Sequence, residues 1–201
     1  FLLASGKLQA LCYKSEIEAA LRTPGLAGVQ LLGLNDFPGQ GTALVGVLDA
    51  FWDEKGYISA EEFRQFFGET VPLARIPKYV YQNNETFNAK LEVAHFGSQP
   101  LKNITAQWKI TDSEGAVIAQ DIIADQNIPI GNCISLGEIN LALSQVTKAE
   151  KLNLEVIVGN HVNHWNFWVY PAELPFEKNN DIYFCATLDG KAESILEEGG
   201  R

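Results

Sequence analysis

Residues 53–63 form the segment of this sequence that most resembles a metal-binding motif. With Gly56 at the sixth position of an EF-hand calcium loop, Glu62 falls at the twelfth, where a bidentate carboxylate is required. The same alignment places Phe51 at the first position and Lys55 at the fifth. Neither side chain supplies a carboxylate, and the lysine would repel Ca²⁺. The segment is therefore predicted to be a turn that leads into a helix.

The three histidines do not predict a metal site either. His161 and His164 are three residues apart, and on a β-strand this spacing places the side chains on opposite faces. His95 continues the inward register of a predicted strand. We predict structural roles for all three rings, so the sequence predicts neither a catalytic metal nor another cofactor.

The three cysteines are an odd number and lie far apart in the chain. Cys12, Cys133 and Cys185 each have apolar neighbours in sequence. Such residues are typical of small buried hydrophobes rather than of a disulfide framework or a zinc site. We therefore expect all three to be buried and free.

An aromatic strand near the end of the chain offers a surface for a sugar ring. Alternation places Trp165 and Phe167 on one face and Trp168 and Tyr170 on the other. One face must belong to the core. We expect the other, carrying Trp168 and Tyr170, to contact another domain or to stack on a sugar, and the interdomain contact is favoured.

The amino-acid composition limits the kinds of partner that the protein is expected to bind. The 201 residues are 46% hydrophobic and 20% charged, which is ordinary for a globular protein with a sizeable core. Lys plus Arg number 15 and Asp plus Glu number 25, giving a net charge of −10. This balance argues against nucleic acid and against an anionic membrane surface as partners, because both require clustered cations. Neutral ligands such as sugars remain open.

The first 71 residues have the pattern of an α/β unit. An apolar periodicity predicts a helix up to Leu21, ended by Pro24 and Gly25. A short buried strand is predicted over residues 29–34, a loop over 35–41 and a helix over 43–52. Ser59 then opens a further helix with the outline of a capping box. We predict that residues 1–71 are the C-terminal remnant of a (β/α)8 barrel.

Residues 72–172 have the alternating pattern of antiparallel strands. About seven short strands without a long helix between them predict an immunoglobulin-like or fibronectin-III-like sandwich. Residues 104–110 and 152–158 alternate most clearly. We expect both segments to be strands of one sandwich core, formed by Leu91, Val93, Trp108, Val156 and Val158.

Residues 173–201 are predicted to be a linker and the first βα unit of another α/β domain. Residues 181–188 form an apolar run, Asp189 is a plausible N-cap, and residues 191–198 are predicted to be helical. The whole chain is thus predicted to be mainly β, with α/β elements on either side of the sandwich. We expect it to be an internal piece of a larger multidomain protein.

Two stretches together resemble one enzyme family. Residues 20–46, with the sequence Asn35-Asp36-Phe37-Pro38-Gly39-Gln40-Gly41 inside them, resemble the end of the catalytic barrel in β-galactosidase- and β-glucuronidase-like glycoside hydrolases. Residues 163–171 resemble the closing strand of the sandwich that follows the barrel there. The resemblance covers most of residues 7–171 and is to forms found in gut polysaccharide-degrading bacteria.

The resemblance implies a role for the 35–41 loop. Residues 29–34 would be the eighth barrel strand, and Asn35, Asp36, Phe37 and Gln40 would line the substrate in the parent enzyme. Family members use a retaining mechanism with two glutamates on the fourth and seventh strands, which would precede Phe1. The implied partners are an oligo- or polysaccharide substrate and the remaining domains of the parent chain. A periplasmic or secreted location in a bacterium is also implied.

Two functions therefore stand as hypotheses. The first is a non-catalytic fragment of a glycoside hydrolase whose sandwich is a structural, interdomain module. The alternative is a stand-alone glycan-binding or adhesion module. The two hypotheses differ in one observable. Residues 1–70 should expose an apolar face if they are a fragment of a barrel, whereas a complete module should have covered ends.

Overall fold

The computed structural model describes residues 1–26, 28–40, 44–173 and 182–200. The chain divides into two compact units, Phe1–Pro171 and Ala172–Arg201. Among the described residues, no helix combines the length and the apolar character that crossing a bilayer requires.

The described part of the first unit contains two α-helices, a short 3-10 turn and eight β-strands. The helices are α1 (Leu2–Leu21) and α2 (Ala60–Phe66), and the 3-10 turn spans Pro38–Gln40. The strands are β1 (Thr70–Arg75), β2 (Val80–Gln82), β3 (Thr86–His95), β4 (Leu101–Thr111), β5 (Val117–Ile128), β6 (Gly131–Ala142), β7 (Glu150–Val158) and β8 (His161–Tyr170).

The strands form two sheets. One has three antiparallel strands in the order β1-β3-β6. The other has five strands in the order β2-β8-β7-β4-β5, which are antiparallel except for the parallel pair of β2 with β8. The chain is therefore mainly β, as predicted, with open antiparallel and mixed sheets.

The larger of two hydrophobic clusters in the described residues contains side chains from both sheets. Phe87 of β3 and Phe167 of β8 are fully buried, and their rings stack with centroids 4.2 Å apart. The predicted core residues Leu91, Val93, Val156 and Val158 belong to this cluster, and Trp108 packs against it partly buried. Residues 104–110 and 152–158, which were predicted to be strands, lie within β4 and β7. The period-two pattern thus correctly predicted these strands and their inward faces.

The α1 helix forms where the apolar periodicity predicts, but only some of its apolar residues are buried. Its buried residues are Gly6, Ala10, Ile17 and Glu18. Leu8 and Leu11, which contribute to the apolar periodicity of the helix, are 62% and 61% exposed. Helical periodicity identifies an apolar stripe but does not say which neighbour covers it.

Two predicted elements between α1 and α2 are absent from the described residues. Residues 29–34 form no strand, and Leu32 is 94% exposed. Residues 44–52 form no helix, and residue 43 lies outside the described part. Instead, single bridges pair Leu48 with Asn35 in parallel and with Glu54 in antiparallel orientation. A strand buried on both faces requires neighbouring strands, and the described chain provides only these bridges.

The predicted cap of α2 is present. The Glu62 backbone N–H donates a 3.2 Å hydrogen bond to Ser59 Oγ, and the Ser59 N–H donates a 2.9 Å bond to Glu62 Oε2. This reciprocal capping box satisfies two donors at the start of the helix.

The cysteines are free, as expected, but they are not buried. Cys12 and Cys185 are exposed and Cys133 is partly exposed. The burial prediction was wrong for Cys12 because it lies on the outward side of α1, beside Leu8 and Leu11.

The second unit contains helix α3 (Gly190–Glu197). Asp189 caps it, because Asp189 Oδ1 accepts a 2.8 Å hydrogen bond from the Ala192 N–H. The predicted cap and helix are therefore confirmed. Residues 182–188 form no strand, contrary to the prediction, and Asp181 lies outside the described residues.

Candidate functional site

A buried charged cluster joins α1 to the sheets. Glu18 is 2% exposed, and its Oε1 lies 2.5 Å from Lys14 Nζ. Asn163 Nδ2 donates a 2.8 Å hydrogen bond to Oε1, and Trp165 Nε1 donates a 2.9 Å bond to Oε2. Both partners belong to β8. The helix is thus fixed to the sheet by charge-assisted hydrogen bonds as well as by apolar contact.

The same cluster reaches β1 and holds the lysine in place. Asn163 Nδ2 also donates a 2.9 Å bond to the Pro72 carbonyl, and Lys14 Nζ donates to Asn163 Oδ1. The ammonium lies 4.7 Å from the centroid of the Trp165 ring. Burial lowers the pKa of Lys14, although the neighbouring Glu18 carboxylate acts in the opposite direction. An ammonium group removed from water in this way is destabilising unless a carboxylate lies beside it.

Sequence reasoning did not identify this cluster. The signal was present, because Lys14, Glu18 and Arg22 recur every four residues, and Glu18 directly follows the buried Ile17. A carboxylate at the margin of an apolar helix face is rarely buried without a partner. Its partners could not be found from sequence, since Asn163 and Trp165 lie about 145 residues further along.

The loop that was predicted to line the substrate is held by Asp36. This residue is 5% exposed, and its Oδ1 accepts a 3.0 Å hydrogen bond from the Gly46 N–H and a 2.7 Å bond from Lys55 Nζ. Tyr57 Oη donates to the Gly46 carbonyl at 3.0 Å. The carboxylate therefore ties residues 35–40 to residues 46–57.

Glycine is required at position 46. A Cβ placed there would come within 2.2 Å of the Asn35 carbonyl carbon. Any larger residue would push the two segments apart and break the Asp36 contact.

Asp36→Ala tests the structural contribution of this carboxylate. We expect the Gly46 and Leu48 amides to exchange about ten- to a hundredfold faster, because a hydrogen bond to a charged group contributes about 1.5–3 kcal/mol. Amide hydrogen exchange measures this directly. Phe37→Ala is the matched control, since Phe37 is 57% exposed and its loss should leave these rates unchanged. Unchanged exchange in Asp36→Ala would show that the carboxylate does not hold the loop.

The other predicted substrate-lining residues have different environments. Asn35 is partly buried, and its Nδ2 donates a 3.1 Å bond to the Asp36 carbonyl. The exposed Phe37 ring folds over Gly39, where a Cβ would come 2.8 Å from the ring. The Gln40 side chain lies outside the described residues. The Phe37 ring is thus exposed to solvent, whereas the Asp36 carboxylate is already bonded to Gly46 and Lys55.

Trp168 and Tyr170 lie on the outer face of β8. They are 39% and 48% exposed, and Val80 of the adjacent β2 is 57% exposed. Val80 is the register partner of Trp168. Their neighbours Trp165, Phe167 and Val169 are buried. The predicted alternation is therefore present, and it leaves an apolar strip facing outward.

The motifs that resemble metal sites have structural partners instead. Glu54 Oε1 accepts from the Ala60 N–H at 3.1 Å, and Glu62 belongs to the capping box of α2. His95 is buried, with Nδ1 2.7 Å from Thr70 Oγ1 and Nε2 2.8 Å from the Gln99 carbonyl. Within the described ranges, no group of three or more His, Cys, Asp or Glu side chains could hold a metal ion.

The remaining histidines lie in β8. Burial lowers the pKa of both His161 and His164, and the nearby Lys14 ammonium lowers that of His164 further. Both effects favour the neutral ring. Their separation by three positions in one strand places them on opposite faces, as the spacing predicted.

One known sequence family matches less than half of the chain. Residues 85–171 match a family described as "Domain of unknown function (DUF8488)". No curated protein matches the chain in sequence.

Solved structures that resemble the chain include glycoside hydrolases. The exo-chitosanase CsxA of Amycolatopsis orientalis aligns with a TM-score of 0.51 and 14% identity, over 81% of this chain and 18% of that enzyme. A complex of the same enzyme with PNP-β-D-glucosamine gives a TM-score of 0.50, 15% identity and the same coverage. The β-glucuronidase of Parabacteroides merdae gives 0.38 and 10% identity, over 51% of this chain and 14% of that enzyme.

These likenesses concern the fold alone. The chain spans less than a fifth of the exo-chitosanase that it resembles. The alignment to that enzyme covers 81% of the chain and therefore more than the family match at residues 85–171. The likeness is therefore weak, but it extends over most of this chain and over one part of a glycoside hydrolase.

Proposed function

We propose that this chain is a non-catalytic part of a glycoside hydrolase. Residues 1–71 would close a catalytic barrel, and the two sheets would form an immunoglobulin-like sandwich that supports this end of the barrel. The substrate of the whole enzyme would be an oligo- or polysaccharide. Hydrolysis would follow a retaining mechanism, in which two glutamates on other strands are the nucleophile and the acid/base.

The observation that carries the proposal is an uncovered apolar stripe on α1. Helical periodicity aligns positions 1, 4, 8, 11, 12, 15 and 19 on one side, and all seven residues there are exposed. They are Phe1, Ala4, Leu8, Leu11, Cys12, Ser15 and Ala19, and none is charged. The opposite side packs through Ala10 and Ile17. A helix that is apolar on both sides is typical of the interior of a larger structure.

The exposed apolar residues are concentrated in the same region. Of the 25 large hydrophobic side chains exposed among the described residues, 13 lie in the first 52 positions. The two sheets, in contrast, share a buried hydrophobic core. The exposed apolar residues are therefore densest in residues 1–52, which belong to the segment that the proposal assigns to a barrel. The fold likeness to an exo-chitosanase supports the same assignment.

The coding sequence upstream of Phe1 provides the first test. The proposal expects it to encode most of a (β/α)8 barrel, with glutamates at the ends of two of its strands. An unrelated domain directly upstream would contradict the proposal. So would a start codon within a few residues of Phe1.

A kinetic prediction follows for the purified chain. We expect no release of p-nitrophenol above background from p-nitrophenyl β-glucosaminide, β-glucuronide or β-galactoside. The reason is geometric, because a retaining site needs two carboxyls about 5 Å apart in a substrate pocket, whereas Glu18 is buried against Lys14 and Glu62 caps α2. The assay is a colorimetric time course. Turnover that disappears when a glutamate of this chain is mutated would overturn the prediction.

The outer face of β8 favours a second candidate function, a glycan-binding module. Trp168, Tyr170 and Val80 form an exposed apolar strip. Beside it, Asn153 Nδ2 donates a 3.0 Å bond to Asn166 Oδ1, so that amide groups flank the aromatic rings. An aromatic ring with neighbouring amides suits a sugar, whose C–H face is apolar and whose hydroxyls are polar. Loss of glycan binding in Trp168→Ala would support this function over the first.

A further inference from the structure

The N-terminal half of α1 packs closely against the ring of Tyr57. Gly6 is buried in the interior of this helix, where glycine is less favourable than alanine. A Cβ at position 6 would come within 2.3 Å of Tyr57 Cδ1 and 2.5 Å of Tyr57 Cγ. The ring therefore occupies the space that any larger residue at position 6 would need. Packing against Tyr57 is the physical reason for a glycine in this helix.

The Tyr57 hydroxyl joins the same helix to residue 46. Tyr57 Oη lies 2.9 Å from Gln9 Oε1 and 3.0 Å from the Gly46 carbonyl oxygen, and its one proton is shared between these two acceptors. Burial and the Asp36 carboxylate both raise the pKa of Tyr57, so the hydroxyl keeps its proton at neutral pH. Tyr57 thus contacts α1 through its ring and both α1 and residue 46 through its hydroxyl.

The Gln9 carboxamide makes a second link from α1. Gln9 Nε2 donates a 2.5 Å hydrogen bond to the Val45 carbonyl, while Gln9 Oε1 faces the Tyr57 hydroxyl. A carboxamide can donate on one side and accept on the other, which an apolar side chain of similar size cannot do. The consecutive carbonyls of Val45 and Gly46 are therefore both held by this cluster.

These contacts reach the substrate loop, a name we use for residues 35–40. Asp36 Oδ1 accepts a 3.0 Å hydrogen bond from the Gly46 N–H. Lys55 Nζ donates to Asp36 Oδ1 and to the Gly46 carbonyl, each at 2.7 Å. The Asp36 N–H donates to the Leu48 carbonyl at 3.0 Å. Residue 46 is thus bonded to Tyr57 and Lys55 through its carbonyl and to the substrate loop through its N–H.

The C-terminal half of α1 is fixed to both sheets. Trp165 of β8 donates a 2.9 Å hydrogen bond to Glu18, and Arg22 donates a 2.9 Å bond to the Ala74 carbonyl of β1. Strand β8 belongs to the five-stranded sheet and β1 to the three-stranded sheet. Gln9 and Glu18 are about 14 Å apart along the axis, since an α-helix rises about 1.5 Å per residue. One helix therefore contacts the cluster at residue 46 and, about two and a half turns further on, the sheets.

We infer that Gly6, Gln9 and Tyr57 are positioning residues of the substrate loop. They act through the backbone at residue 46, which the loop contacts, and not by touching a substrate. The inference rests on the proposed function, because that function assigns the loop to a substrate site. It also gives the sandwich a role in that site: the sheets fix α1, and α1 fixes the loop that carries the exposed Phe37 ring.

Amide hydrogen exchange in the full 201-residue chain, followed by NMR, tests the inference. The reporter amides are those of Asp36, Gly46 and Leu48, which all take part in the contacts between the loop and residues 46–48. Tyr57→Phe keeps the ring against Gly6 and removes only the hydroxyl. We expect the reporter amides to exchange about two- to tenfold faster, because one net hydrogen bond is lost when the loop is closed.

Two control variants separate loop positioning from general stability. Ile110→Val removes one methyl group from the fully buried Ile110 side chain and destabilises the sheets by a similar amount. The reporter amides should not respond to this change, because the contacts of Ile110 persist while the loop opens locally. Tyr79→Phe removes a hydroxyl from a half-exposed tyrosine and should also leave the reporter amides unchanged.

Gly6→Ala tests the packing of the helix against the ring. Alanine is the better helix former, but its Cβ would meet the Tyr57 ring. We expect the reporter amides to exchange at least about fivefold faster, without a rise in melting temperature. Ser15→Ala, at an exposed position of the same helix, should leave the reporter amides unchanged, with an equal or higher melting temperature.

A double-mutant cycle tests the bond between Gln9 and Tyr57. Gln9→Leu removes the contacts of the carboxamide with Val45 and Tyr57, and should accelerate exchange of the reporter amides about two- to tenfold. The double variant Gln9→Leu/Tyr57→Phe should exchange more slowly than the product of the two single effects, because both changes remove one shared bond. A full product would show that the two side chains act independently and would contradict the inference.

Three further results would overturn the inference. The first is unchanged exchange of the reporter amides in Tyr57→Phe. The second is an equal acceleration in Ile110→Val, which would give Tyr57 a role in general stability alone. The third is a higher melting temperature with unchanged exchange in Gly6→Ala. None of these measurements depends on the upstream coding sequence, so failure of the inference and failure of the proposed function are distinguishable.

Discussion

Replacing Glu18 by alanine should destabilise the first unit more than any other single change on α1. The substitution leaves the buried Lys14 ammonium without its counter-ion and deprives Asn163 and Trp165 of their acceptor. Breaking a buried pair from one side costs about 3–5 kcal/mol. For a chain of this size we expect the melting temperature to fall by roughly 6–20 °C. Differential scanning calorimetry measures the change.

A neighbouring glutamate provides the control for this prediction. Glu16 is exposed on the same helix, and Glu16→Ala should change stability by less than about 0.5 kcal/mol. Hydrogen exchange of the α1 amides gives a second readout, since the helix should loosen from the sheet in Glu18→Ala. If the Glu18 and Glu16 variants melt alike and exchange alike, the cluster does not hold the helix.

Replacing Phe167 by alanine should have an effect of similar size on the sheets. The Phe167 ring is fully buried and stacks on Phe87, with an interplanar angle of 16°. Tyr81 meets the same ring edge-on, with centroids 5.9 Å apart. Truncation leaves a cavity between the two sheets, and core Phe→Ala changes cost about 3–5 kcal/mol. Urea unfolding followed by circular dichroism measures the loss.

The adjacent residue in β8 is the matched control. Trp168 is larger than Phe167, but its side chain points to the outer face and is 39% exposed. Trp168→Ala should therefore cost about 1 kcal/mol or less, because its surroundings do not enclose a cavity. An equal loss of stability in the two variants would contradict the assignment of the core to one face of β8.

The sheets could be predicted from sequence because their signal is local. In β7, Leu152, Leu154, Val156 and Val158 alternate with polar residues, and all four are buried. Strand β6 was not predicted, because its burial alternates only in part and Cys133 interrupts it with a φ of 57°. Strand β1 was also missed, since four of its first five residues are apolar or proline and show no alternation. Alternation of apolar and polar residues thus identifies strands with one solvent-exposed face and misses strands that are buried on both faces or irregular.

The candidate site depended on information that is not local. The Asn35–Gln40 loop was identified from its composition, but the contact of Asp36 with Gly46 and Lys55 was not. The turn at Asp49 was predicted as a helix, because Leu44, Val45, Val47 and Leu48 give a run of apolar residues without turn signals. The close approach of Gly46 to Asn35 joins residues eleven positions apart, and a sequence pattern does not predict such a contact.

The α1 helix shows the same limit. Its sequence has apolar residues on two sides, and the stripe through Leu8 and Leu11 is as hydrophobic as the side that packs. The hydrogen bonds of Glu18 to β8, together with the apolar contacts of Ile17 and Leu21, mark the side that faces the sheets. The uncovered stripe is the main physical support for the proposal that the chain is one part of a larger structure.

Reconstitution of glycosidase activity is the most direct measurement of this central claim. The polypeptide encoded upstream of Phe1 would be co-expressed with this chain, with its Leu8→Glu/Leu11→Glu variant, and with Val117→Glu as a control at an exposed apolar position of β5. Hydrolysis of p-nitrophenyl β-glycosides would then be measured in each purified sample. We predict activity with the wild-type chain and with Val117→Glu, and none with the double variant or with the upstream polypeptide alone. Equal activity in all four samples would contradict the account.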